Sequence, residues 1–109
     1  MTRPGWLFET RRRLAHGVRI DSMPRPVAKL FEAVDLALAG DWESAHRIAQ
    51  EHEGDKTANW IHAVVHRMEG DLGNARYWYG RCGRRLREEV STDEELREIR
   101  GALESAAGA

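Results

Sequence analysis

The chain has a single cysteine, three prolines and no long apolar run. Cys82 has no second thiol with which to form an intramolecular disulfide, so the sequence predicts a protein of a reducing compartment, the cytoplasm. No segment has the roughly 20 consecutive apolar residues of a membrane span. Arg11–Arg13 interrupt the short apolar run Trp6–Phe8 before a secretory signal could form. The pattern excludes a disulfide-stapled scaffold, and we expect no membrane partner.

The sequence also lacks an excess of charge of either sign. Its 17 basic and 18 acidic residues leave a formal net charge of −1, so no global field attracts nucleic acid or an anionic lipid surface. The 109 residues suffice for one domain with its own core. The sequence contains no phosphate-binding loop, no dinucleotide-binding fingerprint and no recognisable catalytic triad of nucleophile, histidine and acid. We therefore expect no enzymatic activity and no cofactor.

Two glycine–aspartate turns recur at a spacing of about 30 residues, at Gly40–Asp41 and Gly70–Asp71. A glycine can end a helix in the left-handed conformation, and an aspartate directly after it can cap the next helix. The same shift pairs Leu30 with Trp60, Phe31 with Ile61, Ala33 with Ala63, Val34 with Val64, Leu38 with Met68, and Ala45 with Ala75. This pattern predicts a duplicated helical hairpin.

The predicted fold is all-α, a single domain over 1–109 built on two tandem antiparallel helical hairpins with flanking helices. Ser91 and Glu94 form a capping box that opens the last helix. In the second hairpin an inward stripe is expected, and we expect Tyr77 and Arg81 to point away from it. The stripe consists of Leu72, Ala75, Tyr79 and Cys82. The predicted ranges are 27–51 for the first hairpin, 57–82 for the second, and 6–16 and 91–107 for the flanking helices.

The first turn resembles a known repeat family. Its Gly-x-aromatic-x-x-Ala pattern at Gly40, Trp42 and Ala45 resembles the middle of a tetratricopeptide unit, and Ala33 and Ala63 fall at the small position of that unit's first helix. The period is shorter than the family's, and the usual closing proline is missing. The resemblance implies a module that binds a peptide or a partner protein in a concave groove.

A second resemblance covers residues 60–81, whose sequence is WIHAVVHRMEGDLGNARYWYGR. This string is similar to the signature segment of small, uncharacterised bacterial helical proteins. The resemblance implies a bacterial origin and adds no mechanism.

Two histidines carry the clearest candidate chemistry. His62 and His66 are four residues apart, so their rings lie on one face of a helix. Two imidazoles at this spacing can hold a transition metal, with Glu69 on the same helix or His46 on the neighbouring helix as a third ligand. A small-ligand or metal site around these histidines is therefore the alternative to an interaction module.

The structural interpretation of the same two histidines is that they are half-buried and hydrogen-bonded. A helical wheel turns His62 and His66 towards solvent, whereas the tetratricopeptide register turns them towards the following helix. The candidate hydrogen-bond partners are Asn59, Glu69, Asn74 and Tyr79.

The densest cluster of aromatic and cationic side chains lies at Arg76–Tyr79 with Arg81. Exposed aromatics beside arginines are typical of interface hot spots. Arg84, Arg85 and Arg87 extend a basic patch that the acids following it neutralise in part, so nucleic acid is disfavoured as a partner. The favoured function is a cytoplasmic module that binds a protein or peptide or forms a homo-oligomer. Its predicted binding residues are Asn59, Trp60, His62, His66, Arg76, Tyr77, Tyr79 and Arg81.

Overall fold

A computed structural model describes residues 25–108, so the predicted helix at 6–16 lies outside the described range. All regular structure in this range is helical, which confirms the all-α class. The helices are α1 (Arg25–Leu38), α2 (Trp42–Gln50), α3 (Lys56–Met68), α4 (Leu72–Arg81) and α5 (Thr92–Gly108). None of these described helices combines the length and the apolar character needed to cross a bilayer.

The centre of the fold is α3, which contacts each of the other four helices. Every residue from Ala58 to His66 is buried. An amphipathic surface helix buries only one stripe of its side chains. Because α3 is enclosed by neighbours, its polar face also lies inside, and both of its histidines are buried with it.

The last helix, α5, packs against α1 and α3. Its inward positions Leu96, Ile99 and Leu103 are buried, as their helical spacing predicts. Burial of each such side chain stabilises the fold by about 1.5–3 kcal/mol. The predicted capping box is confirmed, since the backbone N–H of Ser91 donates to Glu94 Oε1 at 3.1 Å and that of Glu94 donates to Ser91 Oγ at 3.0 Å.

The two glycine–aspartate turns have the same geometry. Gly40 and Gly70 adopt φ of 92° and 86°. The carboxylates of Asp41 and Asp71 each accept a hydrogen bond from the backbone N–H three residues on, at 3.2 Å. The predicted glycine stop and aspartate cap are therefore confirmed at both turns. Stacking of the two hairpins in the tetratricopeptide manner stays a prediction.

A glycine with a positive φ also follows the end of α4. Gly83 has a φ of 74°, and the N–H of Arg84 donates to the carbonyl of Tyr79 at 2.9 Å. The helix therefore stops at Arg81, and residues 82–91 form a connection to α5. Ala75, Tyr79 and Cys82 are buried as expected, but the inward placement of Leu72 is wrong: this first residue of α4 is 39% exposed. Burial raises the pKa of the Cys82 thiol, which disfavours the reactive thiolate.

We expect Gly70→Ala to lower the free energy of unfolding by about 1–2 kcal/mol, because an L-residue is strained in the left-handed conformation. A Cβ at this position meets no atom within 4 Å, so the effect isolates the backbone conformation. The matched control is Gly80→Ala, which has equal space in α4 and should stabilise by about 0.5–1 kcal/mol. Urea unfolding measures both values, and the same sign for both variants would contradict the interpretation.

Candidate metal centre

Three histidine rings meet between α2 and α3. His46 lies in the middle of α2, and His62 and His66 lie one turn apart on α3. The ring centroids are 4.5 Å apart for His46 and His62, 5.2 Å for His46 and His66, and 5.0 Å for His62 and His66. One ligating atom from each residue can be chosen so that all three lie within 4.8 Å of one another. Imidazole nitrogens bound to one tetrahedral zinc ion are about 3.3 Å apart, so the ligating atoms would have to approach one another by at most about 1.5 Å.

The closest approach within this cluster joins His62 Nε2 and His46 Nε2, which are 3.0 Å apart. Two neutral imidazoles can share this contact only if one ring carries its proton on Nε2. Nδ1 of His62 is buried and has no hydrogen-bond partner among residues 25–108 in either tautomer. The hydrogen bonding of His62 is therefore incomplete, and an incompletely bonded buried group calls for an explanation.

Glu69 orients the third ring. Nδ1 of His66 lies 2.5 Å from Glu69 Oε1, which confirms Glu69 as a hydrogen-bond partner of this histidine. The carboxylate holds the proton on Nδ1, so Nε2 is the nitrogen left with a free lone pair. Carboxylates commonly hold metal-binding histidines in this way. His66, Glu69 and Asp71 form a second group of potential ligands, but both of its carboxylates are less buried than the rings.

Trp78 on α4 covers the cluster from a third helix. Its ring stacks on that of His62 with centroids 3.9 Å apart and planes 14° from parallel. The guanidinium of Arg81 lies 5.4 Å from the centroid of the Trp78 ring. Stacking, together with the contact to His46, fixes the orientation of His62.

The environment keeps the rings of His46 and His62 in the form that binds metals. Burial, followed by the neighbouring rings of His46 and His66, lowers the pKa of His62 to about 3. Burial and His66 also lower the pKa of His46, although Glu69 and Glu53 act in the opposite direction. At neutral pH both imidazoles are therefore uncharged, and the neutral ring is the ligand for a transition metal.

The metal-free fold should lose stability in mild acid. The imidazole of His62 takes up a proton near pH 6.5 in the unfolded chain, but its pKa is about 3 in the folded protein. The unfolded chain binds more protons between these values. The free energy of unfolding therefore falls as the pH falls, by up to about 1.4 kcal/mol per pH unit.

Urea unfolding of metal-free protein between pH 7 and pH 5 measures this slope, since few carboxylates titrate there. His62→Gln should reduce it and leave the contribution of His46. His52→Gln is the control, because His52 lies outside the cluster and its Nδ1 bonds to the carbonyl of Ile48. Ring NMR signals of the unmodified protein give a second measurement. Titration of the His62 ring between pH 7 and pH 5 contradicts the assignment.

The remaining predicted binding residues separate into a buried and an exposed set. Asn59 and Trp60 are 3% and 5% exposed, and Tyr79 is 1% exposed. The side-chain amide of Asn59 donates to the carbonyl of Glu53 at 3.0 Å. Contacts within the chain engage Trp60, Tyr79 and the amide N–H of Asn59, whereas Oδ1 of Asn59 has no hydrogen-bond partner in the described part of the chain.

The exposed set lies on α4. Tyr77 is 55% exposed, and Arg76 and Arg81 are also exposed. Arg81 donates to the hydroxyl of Tyr77 at 3.0 Å. The arginine–aromatic cluster is therefore accessible at Arg76, Tyr77 and Arg81.

A buried ionic network was not predicted from the sequence. Glu95 is 1% exposed and accepts hydrogen bonds from Trp60 Nε1 at 2.8 Å, Tyr79 OH at 2.7 Å and Arg67 Nη1 at 2.6 Å. Burial, followed by Glu95, raises the pKa of the Tyr79 hydroxyl and keeps it protonated as a donor. The sequence signal that indicates burial of Glu95 is its position, four residues before Ile99 on the inward face of α5.

No family model, curated protein or solved structure matches this chain. The two resemblances drawn from the sequence therefore stay predictions. Any assignment of function depends on the geometry of the chain's own residues.

Proposed function

We propose that this protein binds a divalent transition metal ion, such as zinc, through His46, His62 and His66. The observation that carries the proposal is the convergence of three imidazoles from two helices, with ligating atoms within 4.8 Å of one another. Imidazole suits zinc, copper, nickel and iron. Three protein ligands leave a fourth tetrahedral position for water or an anionic ligand, as in catalytic zinc sites.

A purely structural role explains the cluster less well. A shared proton satisfies the contact between His46 and His62, but His66 is bonded to Glu69 and no described hydrogen bond joins it to either ring. Apolar side chains fill such a space without a polar atom that lacks a partner, whereas His62 Nδ1 has none. A metal ion would bind the free Nε2 lone pair of His66 and would replace the proton that His46 and His62 share.

Metal binding is tested by calorimetric titration of metal-free protein with zinc sulfate, and by the visible spectrum with cobalt chloride. We expect one ion per chain and the strong absorption of tetrahedral cobalt. His46→Gln, His62→Gln and His66→Gln should each abolish that absorption, and Glu69→Gln should weaken binding by about 10–100-fold.

The matched control for these variants is His52→Gln, which alters a partly buried histidine outside the cluster. This variant should bind zinc as the unmodified protein does. The proposal is rejected if His52→Gln loses as much zinc affinity as the cluster variants, or if the folded unmodified protein does not bind zinc. Circular dichroism of each variant shows whether a loss comes from unfolding.

The interaction module and the homo-oligomer stay predictions. The observation that favours them is the exposure of Tyr77 and Leu72, which are 55% and 39% exposed on α4. Both side chains are outside the histidine cluster, so a protein partner and a metal ion are compatible.

A further inference from the structure

A basic cleft lies beside the connection between α4 and α5. One part has a volume of about 490 Å³ and is lined by Gly83, Arg84, Arg85, Arg87 and Glu95. An adjoining part of about 310 Å³ shares Arg84 and Arg85 with it. The adjoining part adds Arg76, Tyr79, Gly80 and Leu86. Each volume is within the range of about 300–1,000 Å³ that is common for small-molecule sites.

The acids closest to this cleft are engaged by other groups. Glu95 is buried and bound to Arg67, Trp60 and Tyr79. Glu98 holds Arg87 through contacts of 2.8 and 3.3 Å. Glu94 completes the capping box of α5. Each of these carboxylates therefore already bonds to a group other than Arg76, Arg84 or Arg85.

Three arginines of the cleft have no acidic partner in the part of the chain that the structure describes. Among residues 25–108, no ion pair forms at Arg76, Arg84 or Arg85. Glu88 and Glu89 are exposed on the same connection but do not line the cleft. The cleft is thus a local excess of positive charge in a chain whose net charge is −1.

The arginine shared by both parts is held in place before any ligand arrives. The guanidinium carbon of Arg84 lies 3.3 Å from the centroid of the Trp60 ring. The indole of Trp60 is fixed in turn by its hydrogen bond to Glu95. A stacked guanidinium still directs its N–H groups sideways, and its planar fork matches two oxygens of a phosphoryl group.

We propose that this cleft binds a small phosphorylated molecule, with the phosphoryl oxygens on Arg84 and Arg85. Arg76 at the far end adds a third guanidinium for a second anionic group. Leu86 and the Cα of Gly80 supply apolar surface for the organic part of the ligand. The site is separate from the histidine cluster and does not depend on a bound metal.

Metal-free protein is titrated with inorganic pyrophosphate, and binding is followed by calorimetry and by backbone amide NMR. We expect one pyrophosphate per chain and shifts centred on residues 80–87. Arg85→Gln and Arg76→Gln should each weaken binding by about tenfold or more, since each removes a charged hydrogen bond. Arg97→Gln, an exposed arginine on α5 outside the cleft, should bind normally.

Three outcomes overturn the proposal. The first is that Arg97→Gln loses as much pyrophosphate affinity as the cleft variants. The second is that inorganic sulfate binds as tightly as pyrophosphate. The third is that single-stranded DNA binds more tightly than pyrophosphate through the same arginines. His62→Gln should keep pyrophosphate binding, so this proposal and the metal proposal fail or hold independently. Arg84→Gln removes the stacking on Trp60 together with the guanidinium, so its binding is compared with its circular dichroism.

Discussion

Replacing Glu95 with glutamine should lower the free energy of unfolding by about 3–5 kcal/mol, the usual cost of removing one partner of a buried ion pair. Arg67, whose side chain is 10% exposed, then keeps a buried charge without a counterion. The carboxylate also accepts from Trp60 and Tyr79, and the glutamine amide cannot accept from all three groups. Urea unfolding followed by circular dichroism measures the change.

The matched control is Glu98→Gln on the same helix. Its carboxylate pairs with Arg87 at the surface, where its side chain is 44% exposed, so the loss should be about 0–1 kcal/mol. Equal effects of the two substitutions would show that the buried network contributes no more than a surface ion pair. A double variant, Arg67→Met with Glu95→Leu, should recover part of the loss, because no unpaired charge then stays buried.

Zinc bound to the histidine cluster should stabilise the folded protein, and the gain should grow with the logarithm of the free zinc concentration once the site is saturated. At a free zinc concentration of 100 times the dissociation constant, the free energy of unfolding rises by about 2.7 kcal/mol if the unfolded chain does not bind zinc. We expect this gain in the unmodified protein and in His52→Gln, and its loss in His62→Gln. Urea unfolding with zinc and with chelator gives the values.

Trp78 provides an internal reporter of the same event. Because its ring lies 3.9 Å from that of His62, copper or nickel in the cluster should quench its fluorescence, and Trp78→Phe should remove most of that quenching. If zinc raised the free energy of unfolding of His62→Gln as much as that of the unmodified protein, the ion would bind elsewhere. If saturating zinc did not raise it in the unmodified protein, the folded protein would have no zinc site.

The turns were predictable because their chemistry is local. A glycine that stops a helix and an aspartate that caps the next one act within a few residues, and the capping box at Ser91 and Glu94 acts over three. The all-α class follows from the same short-range patterns. What local patterns cannot supply is which side of each helix meets a neighbour.

The burial of α3 shows this limit. A helical wheel assumes one apolar side and places His62 and His66 towards solvent, but they are 2% and 8% exposed. Spacing predicted that these two rings share a face and that Glu69 is in reach of them. The stacking of Trp78 on His62 and the network at Glu95 join residues 16–35 positions apart, for which a single sequence carries no spacing rule.

Enclosure of α3 by all four other described helices also determines how the molecule can come apart. Detachment of any one of these helices exposes a buried side of α3 to water. Partial unfolding is therefore unfavourable, and we expect the described helices to unfold as one cooperative unit. His46, His62 and His66 come together where α2 packs on α3, so an ion bound by all three would report that this contact has formed.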